Sequence, residues 1–186
     1  MTVQEVFSNL GQRMVEGLMT HSQMVDYFNF LGLKGYAKCH KYHYFEENAN
    51  YKRVGDYFIK HYNKLILDLP VDNPHVIPEP WFQHSRPDVS KETRKTYIKA
   101  GWEKWVAWEK ESKAFYEKMY QELMNMGEVA AAAYVGTVVD DVSDELAAAE
   151  QKWLELSAID YDIVSIMEEQ QSYCNKYNKK LKEIKL

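Results

Sequence analysis

Residues 36–51 read Tyr36-Ala37-Lys38-Cys39-His40-Lys41-Tyr42-His43-Tyr44-Phe45-Glu46-Glu47-Asn48-Ala49-Asn50-Tyr51. No helix breaker interrupts them. Tyr36, His40, His43, Glu47, Val54 and Phe58 recur at steps of three, four or seven, which predicts a helix with these residues on one buried face. Two histidines and a carboxylate inside an apolar stripe must be satisfied by each other, by a neighbouring helix or by a metal ion.

Upstream, Phe7, Leu10, Met14, Leu18, His21, Val25 and Phe28 form a second stripe, and Gly32 and Gly35 then mark a break. The helix that follows is expected to run from Tyr36 to about Leu69, with Leu65 and Ile66 continuing its stripe, so that residues 2–69 form an antiparallel hairpin. All five prolines (Pro70, Pro74, Pro78, Pro80 and Pro87) lie in the next stretch. Proline removes a backbone donor and disfavours helix in the residue before it, so residues 70–89 read as a crossover. Beyond it, Ser90 with Glu92 and Thr93 marks a helix start. Trp102, Trp105, Glu109, Ser112, Tyr116, Met119 and Leu123 share one side of that helix, and Gly127 stops it. From Glu128 the helical period persists through Val135, Val142, Ala149, Leu156, Ile163 and Met167 to Ile184. One helix of that length would span about 80 Å, which predicts a break at Gly136 or near Asp160 and a fifth, C-terminal helix. The expectation is a single all-α domain over residues 1–186, a four-helix bundle of two hairpins (2–69 and 90–186) joined by a long Pro-rich crossover.

Composition narrows the function. The 28 acidic and 23 basic side chains leave a net charge of −5, which argues against non-specific nucleic-acid binding. The lysine run Lys176, Lys179, Lys180, Lys182 and Lys185 reads as a solvated helix end. Cys39 and Cys174 are the only cysteines and make no disulfide framework, which points to a reducing cytoplasm. The N-terminus lacks a signal-peptide core, and no apolar run of about 18 residues predicts a membrane span. No nucleophile motif, phosphate loop or dinucleotide fingerprint is present.

The hairpin sets the register of its polar residues. With the turn centred near Leu33 and Lys34, His21 is expected level with Glu46 or Glu47, one turn from His43. His21, His43 and Glu47, with His40 a turn away, are the candidate metal ligands, a set suited to iron, manganese or zinc. The alternative is a buried His–Glu hydrogen-bond network, in a non-catalytic scaffold or adaptor acting through oligomer or partner contacts. Glu109 lies on a buried stripe and Asp160 near another, and either could add a carboxylate. Asp140, Asp141, Asp144 and Glu145 read as a solvated acidic face without calcium-loop spacing. Self-association into a homo-oligomer is expected. Trp102, Trp105 and Trp108 spread over enough of a helix to suggest core for some and a partner surface for the others.

Residues 30–47, Phe-Leu-Gly-Leu-Lys-Gly-Tyr-Ala-Lys-Cys-His-Lys-Tyr-His-Tyr-Phe-Glu-Glu, resemble the ferritin-like superfamily and within it most nearly the Dps branch. That branch ends a helix in a basic residue and glycine, then carries a histidine followed four residues later by a carboxylate, as Lys34, Gly35, His43 and Glu47 do here. The resemblance implies a ferritin-like bundle and iron chemistry. The chain departs from the pattern where downstream acidic ligands would fall near Phe58 and Tyr62, and it contains no Glu-x-x-His signature. The implied iron centre is therefore expected to be lost or rebuilt.

Overall fold

In a computed structural model, which describes residues 1–67 and 90–184, the chain forms five helices and, among the described residues, no strand. They are α1 (Val3–Phe30), α2 (Lys34–Tyr62), α3 (Lys91–Asn125), α4 (Val129–Ala158) and α5 (Ile163–Glu183). α1 pairs with α2, α3 pairs with α4, and the two hairpins meet chiefly through α1 and α3. The predicted crossover at residues 70–89 lies outside the described residues. Among the described residues, no helix is long and apolar enough to cross a membrane.

Each helix starts and stops for a local reason. Thr2 and Glu5 close a capping box at the start of α1. Ser90 caps α3 through the Thr93 amide and Asp162 caps α5 through the Ser165 amide. The three tight turns share one device, in which the amide two positions past the cap bonds back to the carbonyl five residues earlier. The bonds are Leu33 to Phe28 (2.8 Å), Glu128 to Leu123 (3.0 Å) and Tyr161 to Leu156 (2.8 Å). The left-handed position in these turns falls to Gly32 and Gly127 and, at the third, to Asp160. The long C-terminal period thus breaks at residues 159–162, while Gly136 stays helical inside α4.

Two expectations are corrected here. α2 ends at Tyr62 rather than near Leu69, because Asn63 adopts the left-handed conformation. The chain then turns back along α1, where the Leu67 amide bonds to Ser8 at 2.7 Å and Ile66 packs against Gly11. Lys34 and Gly35, read as the end of the first helix, instead open α2. Gly35 is needed there because a Cβ would stand 2.6 Å from the Gln170 carbonyl oxygen and 2.7 Å from the Tyr173 Cβ, both on α5.

That close approach docks the fifth helix. Leu33 offers no side-chain cap to α2, and Gln170 of α5 supplies one from outside. Its side-chain Oε1 accepts from the amides of Gly35 (2.8 Å) and Tyr36 (3.2 Å). Glu169 accepts from Tyr36 and pairs with the buried Lys152 of α4, which ties α5 to both hairpins. Gln170→Leu keeps the volume and strands two buried donors, so it is expected to cost about 1–3 kcal/mol. A chain of this size should then unfold about 2–4 °C lower per kcal/mol in a thermal melt.

The core has two apolar halves. Toward the α1–α2 turn, Met24, Tyr27, Phe28, Tyr36, Trp102, Trp105, Leu156 and Ile166 cluster. At the other end, Phe7, Leu10, Met14, Val54, Phe58, Tyr116, Leu123, Ala132 and Val135 do so. The expectation of a partner surface at the tryptophans is corrected, since Trp102, Trp105 and Trp108 are only 1%, 4% and 8% exposed. Trp102 and Trp105 lie in the first cluster, and Trp108 is covered by the Arg13 guanidinium at 3.7 Å.

Candidate metal centre

Between the two apolar halves lies a polar layer to which all four bundle helices contribute. On α1 it falls between Met14 and Met24, on α2 between Cys39 and Val54, on α3 between Val106 and Tyr116, and on α4 between Val142 and Ala149. Those windows hold His21, His40, His43, Glu46, Glu47, Glu109, Ser112 and Glu145. The same stripes that build the core carry these groups inward, one helical turn at a time.

The tightest group is His43 with Glu46 and Glu145. One ligand atom from each lies within 4.8 Å of the others. The His43 Nδ1 stands 3.3 Å from Glu46 Oε2 and 3.3 Å from Glu145 Oε1. It is buried and lies at ion-pair distance from both carboxylates, yet it has hydrogen-bond geometry to neither. Burial alone would lower the His43 pKa, but the charge of Glu145 and the closeness of Cys39, Glu145 and Glu46 outweigh it and hold it well above the usual histidine value. Without metal, the cation between these carboxylates is therefore the proton on His43. A buried imidazole nitrogen facing two carboxylates from two helices is a donor set that fits a divalent transition metal. A cleft of about 290 Å³, lined by Tyr42, Asn50, Arg53, Asp141, Asp144 and Lys176, connects the group to solvent.

Behind His43 sit two neutral histidines. His21 and His40 share a hydrogen bond between their Nδ1 atoms at 3.1 Å. Burial and the neighbouring His43 charge hold both pKa values well below the usual value. The rings of His21 and His43 lie 5.3 Å apart, and His40 stacks on Phe28 and meets Trp105 at 4.6 Å. The hairpin is thus offset by about a turn from the expected register. His21 faces His40 and His43, and Glu47 lies against Gly17, where a Cβ would come within 2.5 Å of its Oε1.

Two further carboxyls complete the layer. Glu47 is partly buried, and burial, reinforced by the charges of Glu145 and Glu109, raises its pKa well above the normal range. Glu109 is 2% exposed and accepts from the Trp105 indole at 2.7 Å. Burial, with the charge of Glu145 added, pushes its pKa up to about 8. Burial above all favours the protonated form of these carboxyls, and a bound cation would oppose that.

Of the residues predicted from sequence, His21, His40 and His43 come together, Glu47 follows one turn on, and Glu109 joins them. Asp160 instead sits at the α4–α5 turn, paired with Lys95. The reading of Glu145 as part of a solvated acidic face is corrected. It lies three residues after Val142 and four before Ala149, a spacing that marks it as inward-facing. Glu46 had no such signal, since it flanks the stripe.

No protein-family model and no curated protein matches this chain. Solved structures do resemble it. A humanized archaeal ferritin superposes with a TM-score of 0.75 at 16% identity, over 91% of this chain and 93% of that one. An open-pore ferritin from the hyperthermophilic archaeon Archaeoglobus fulgidus gives 0.74 at 18% identity, over 91% and 92%. A closed form of that ferritin, engineered by site-directed mutagenesis, gives 0.71 at 18% identity, over 93% and 96%. The chain has the ferritin-like helical-bundle fold.

Proposed function

We propose that this protein binds a transition-metal ion in the middle of its bundle, iron ahead of manganese or zinc, and handles Fe(II) as cargo. The observation that carries the reading is the buried His43 Nδ1, which makes no hydrogen bond and stands 3.3 Å from carboxylates of two different helices. His43, Glu46 and Glu145 are the proposed ligands. Glu47 and Glu109 supply further negative charge, and His21 and His40 hold the His43 ring from behind. Fe(II) held there is a reductant toward oxygen or peroxide, which is the chemistry the ferritin-like fold suggests. Entry of the cation releases the proton of His43 and those of the raised carboxyls, so affinity rises with pH. The cleft offers the entry path, lined by Asp141 and Asp144 and also by Arg53, Lys176 and Lys180. The likeness of residues 30–47 to the Dps branch, a homo-oligomeric state and a cytoplasmic home belong to this proposal.

A second reading, a scaffold with a structural polar layer, is favoured by the internal partners of His21, His40 and Glu109. Elemental analysis of untagged protein, before and after anaerobic Fe(II) loading and desalting, separates the two. At least one retained ion per chain is expected, and none after loading would leave the scaffold.

A further inference from the structure

Ferritin-like carboxylate bundles hold a metal pair with a glutamate from each of two helices and a Glu-x-x-His motif from each of the other two. Here α2 offers Glu47-x-x-Asn50 and α3 offers Glu109-x-x-Ser112, so neither motif ends in an imidazole. Both replacement side chains are occupied by arginine. Asn50 Oδ1 accepts from Arg53 at 3.0 Å. Ser112 Oγ accepts from two nitrogens of Arg13, at 2.9 Å and 3.3 Å.

Arg13 is the inward one of the two. Its side chain is 13% exposed, its guanidinium covers the Trp108 ring at 3.7 Å, and Glu16 holds its outer edge at 3.4 Å. On α1 it stands one turn from Gly17, the residue against which the Glu47 carboxylate rests. On the α3 side it is anchored at Ser112, one turn from Glu109. Its charge reaches the layer, drawing down the pKa of both Glu109 and Tyr116 against the effect of burial. A guanidinium does not deprotonate at any working pH, so Arg13 is a permanent cation.

Resting on the metal-binding reading above, we propose that the centre takes one divalent transition-metal ion per chain, at His43, Glu46 and Glu145, and that Arg13 fills the place of a second. A second dication beside Arg13 would meet like charge across a poorly solvated gap and would find no imidazole to bind.

The test is anaerobic Mn(II) titration of the full chain by calorimetry, with electron paramagnetic resonance of the loaded protein. Wild type is expected to bind one ion with the spectrum of an isolated Mn(II). Arg13→Glu, which supplies a carboxylate in place of the cation, is expected to bind two and show a spin-coupled pair. Arg13→Gln, a milder change over Trp108, is expected to gain a weaker second ion, with circular dichroism checking that each variant folds. Two ions in wild type, or one ion in every folded variant, overturns the assignment of Arg13. Wild type that binds none sinks the metal reading itself, a different failure from the other two.

Discussion

In chelator, Glu109→Gln is expected to gain stability relative to wild type steadily between about pH 5 and pH 8. The Glu109 carboxyl is raised from 4.5 to about 8 by burial, with the Glu145 charge adding to it. Between those values the folded chain keeps a proton that the unfolded chain has released, so folding takes up a proton and each rise in pH opposes it. The contribution is fully present below pH 4.5 and lost as pH climbs through the folded value. At about 1.4 kcal/mol per pH unit the total reaches roughly 5 kcal/mol, a large part of any domain's stability. His43, also raised, slopes the same way, and the lowered His21 and His40 oppose it below the usual histidine value. Taking the difference between wild type and Glu109→Gln removes those groups. Gln keeps an acceptor for the Trp105 indole, so the variant tests charge rather than packing. Urea midpoints from pH 5 to 9 would measure it. A difference below about 1 kcal/mol across that range would mean that Glu109 ionises without penalty, and the layer would be better solvated than its burial indicates.

How much of this was legible in the sequence divides along one physical line. Period was readable, because a helix buries one face and writes it at steps of three and four. The stripes of α1, α2 and α3 placed His21, His43, Glu47 and Glu109 inside, and the clustered prolines separated two helical halves. Register between helices was not readable. It depends on where the Gly32 turn closes and on how closely Gly35 lets α5 approach, and a shift of one turn moved Glu47 away from His21 and toward Gly17. Glu145 was obscured by composition, since the three aspartates close by made its charge look like surface although its spacing from Val142 and Ala149 pointed inward. Arg13 left no trace at all. It precedes Met14 on the flank of the stripe, and only the fold reveals that its long side chain reaches across to Ser112. Which of the three tryptophans is core was not readable, and Trp108 proved buried with that same guanidinium lying over it.

Glu145→Gln is expected to abolish metal-dependent stabilisation while leaving the metal-free protein nearly unchanged. The metal-free change is small because Glu46 stays 3.3 Å from His43 when the Glu145 contact is weakened. The Glu145 side chain is 23% exposed, so the lost pairing is partly screened, and a net change within about 1 kcal/mol is expected. The metal-bound state behaves differently. A ligand that binds only the folded chain stabilises it by about 4 kcal/mol at a thousand times its dissociation constant. Exchanging a charged ligand for a neutral amide should remove most of that gain, because the ion is then left with one carboxylate beside His43. Thermal melts of wild type and variant, each with chelator and with excess Mn(II) under nitrogen, give the four values needed. Wild type that melts at the same temperature with and without the ion, or a variant that keeps the full upward shift, would remove Glu145 from the centre. A shift present in wild type and absent in the variant, with matching chelator melts, cannot come from a merely structural ion pair, because such a pair would make its contribution with no metal present.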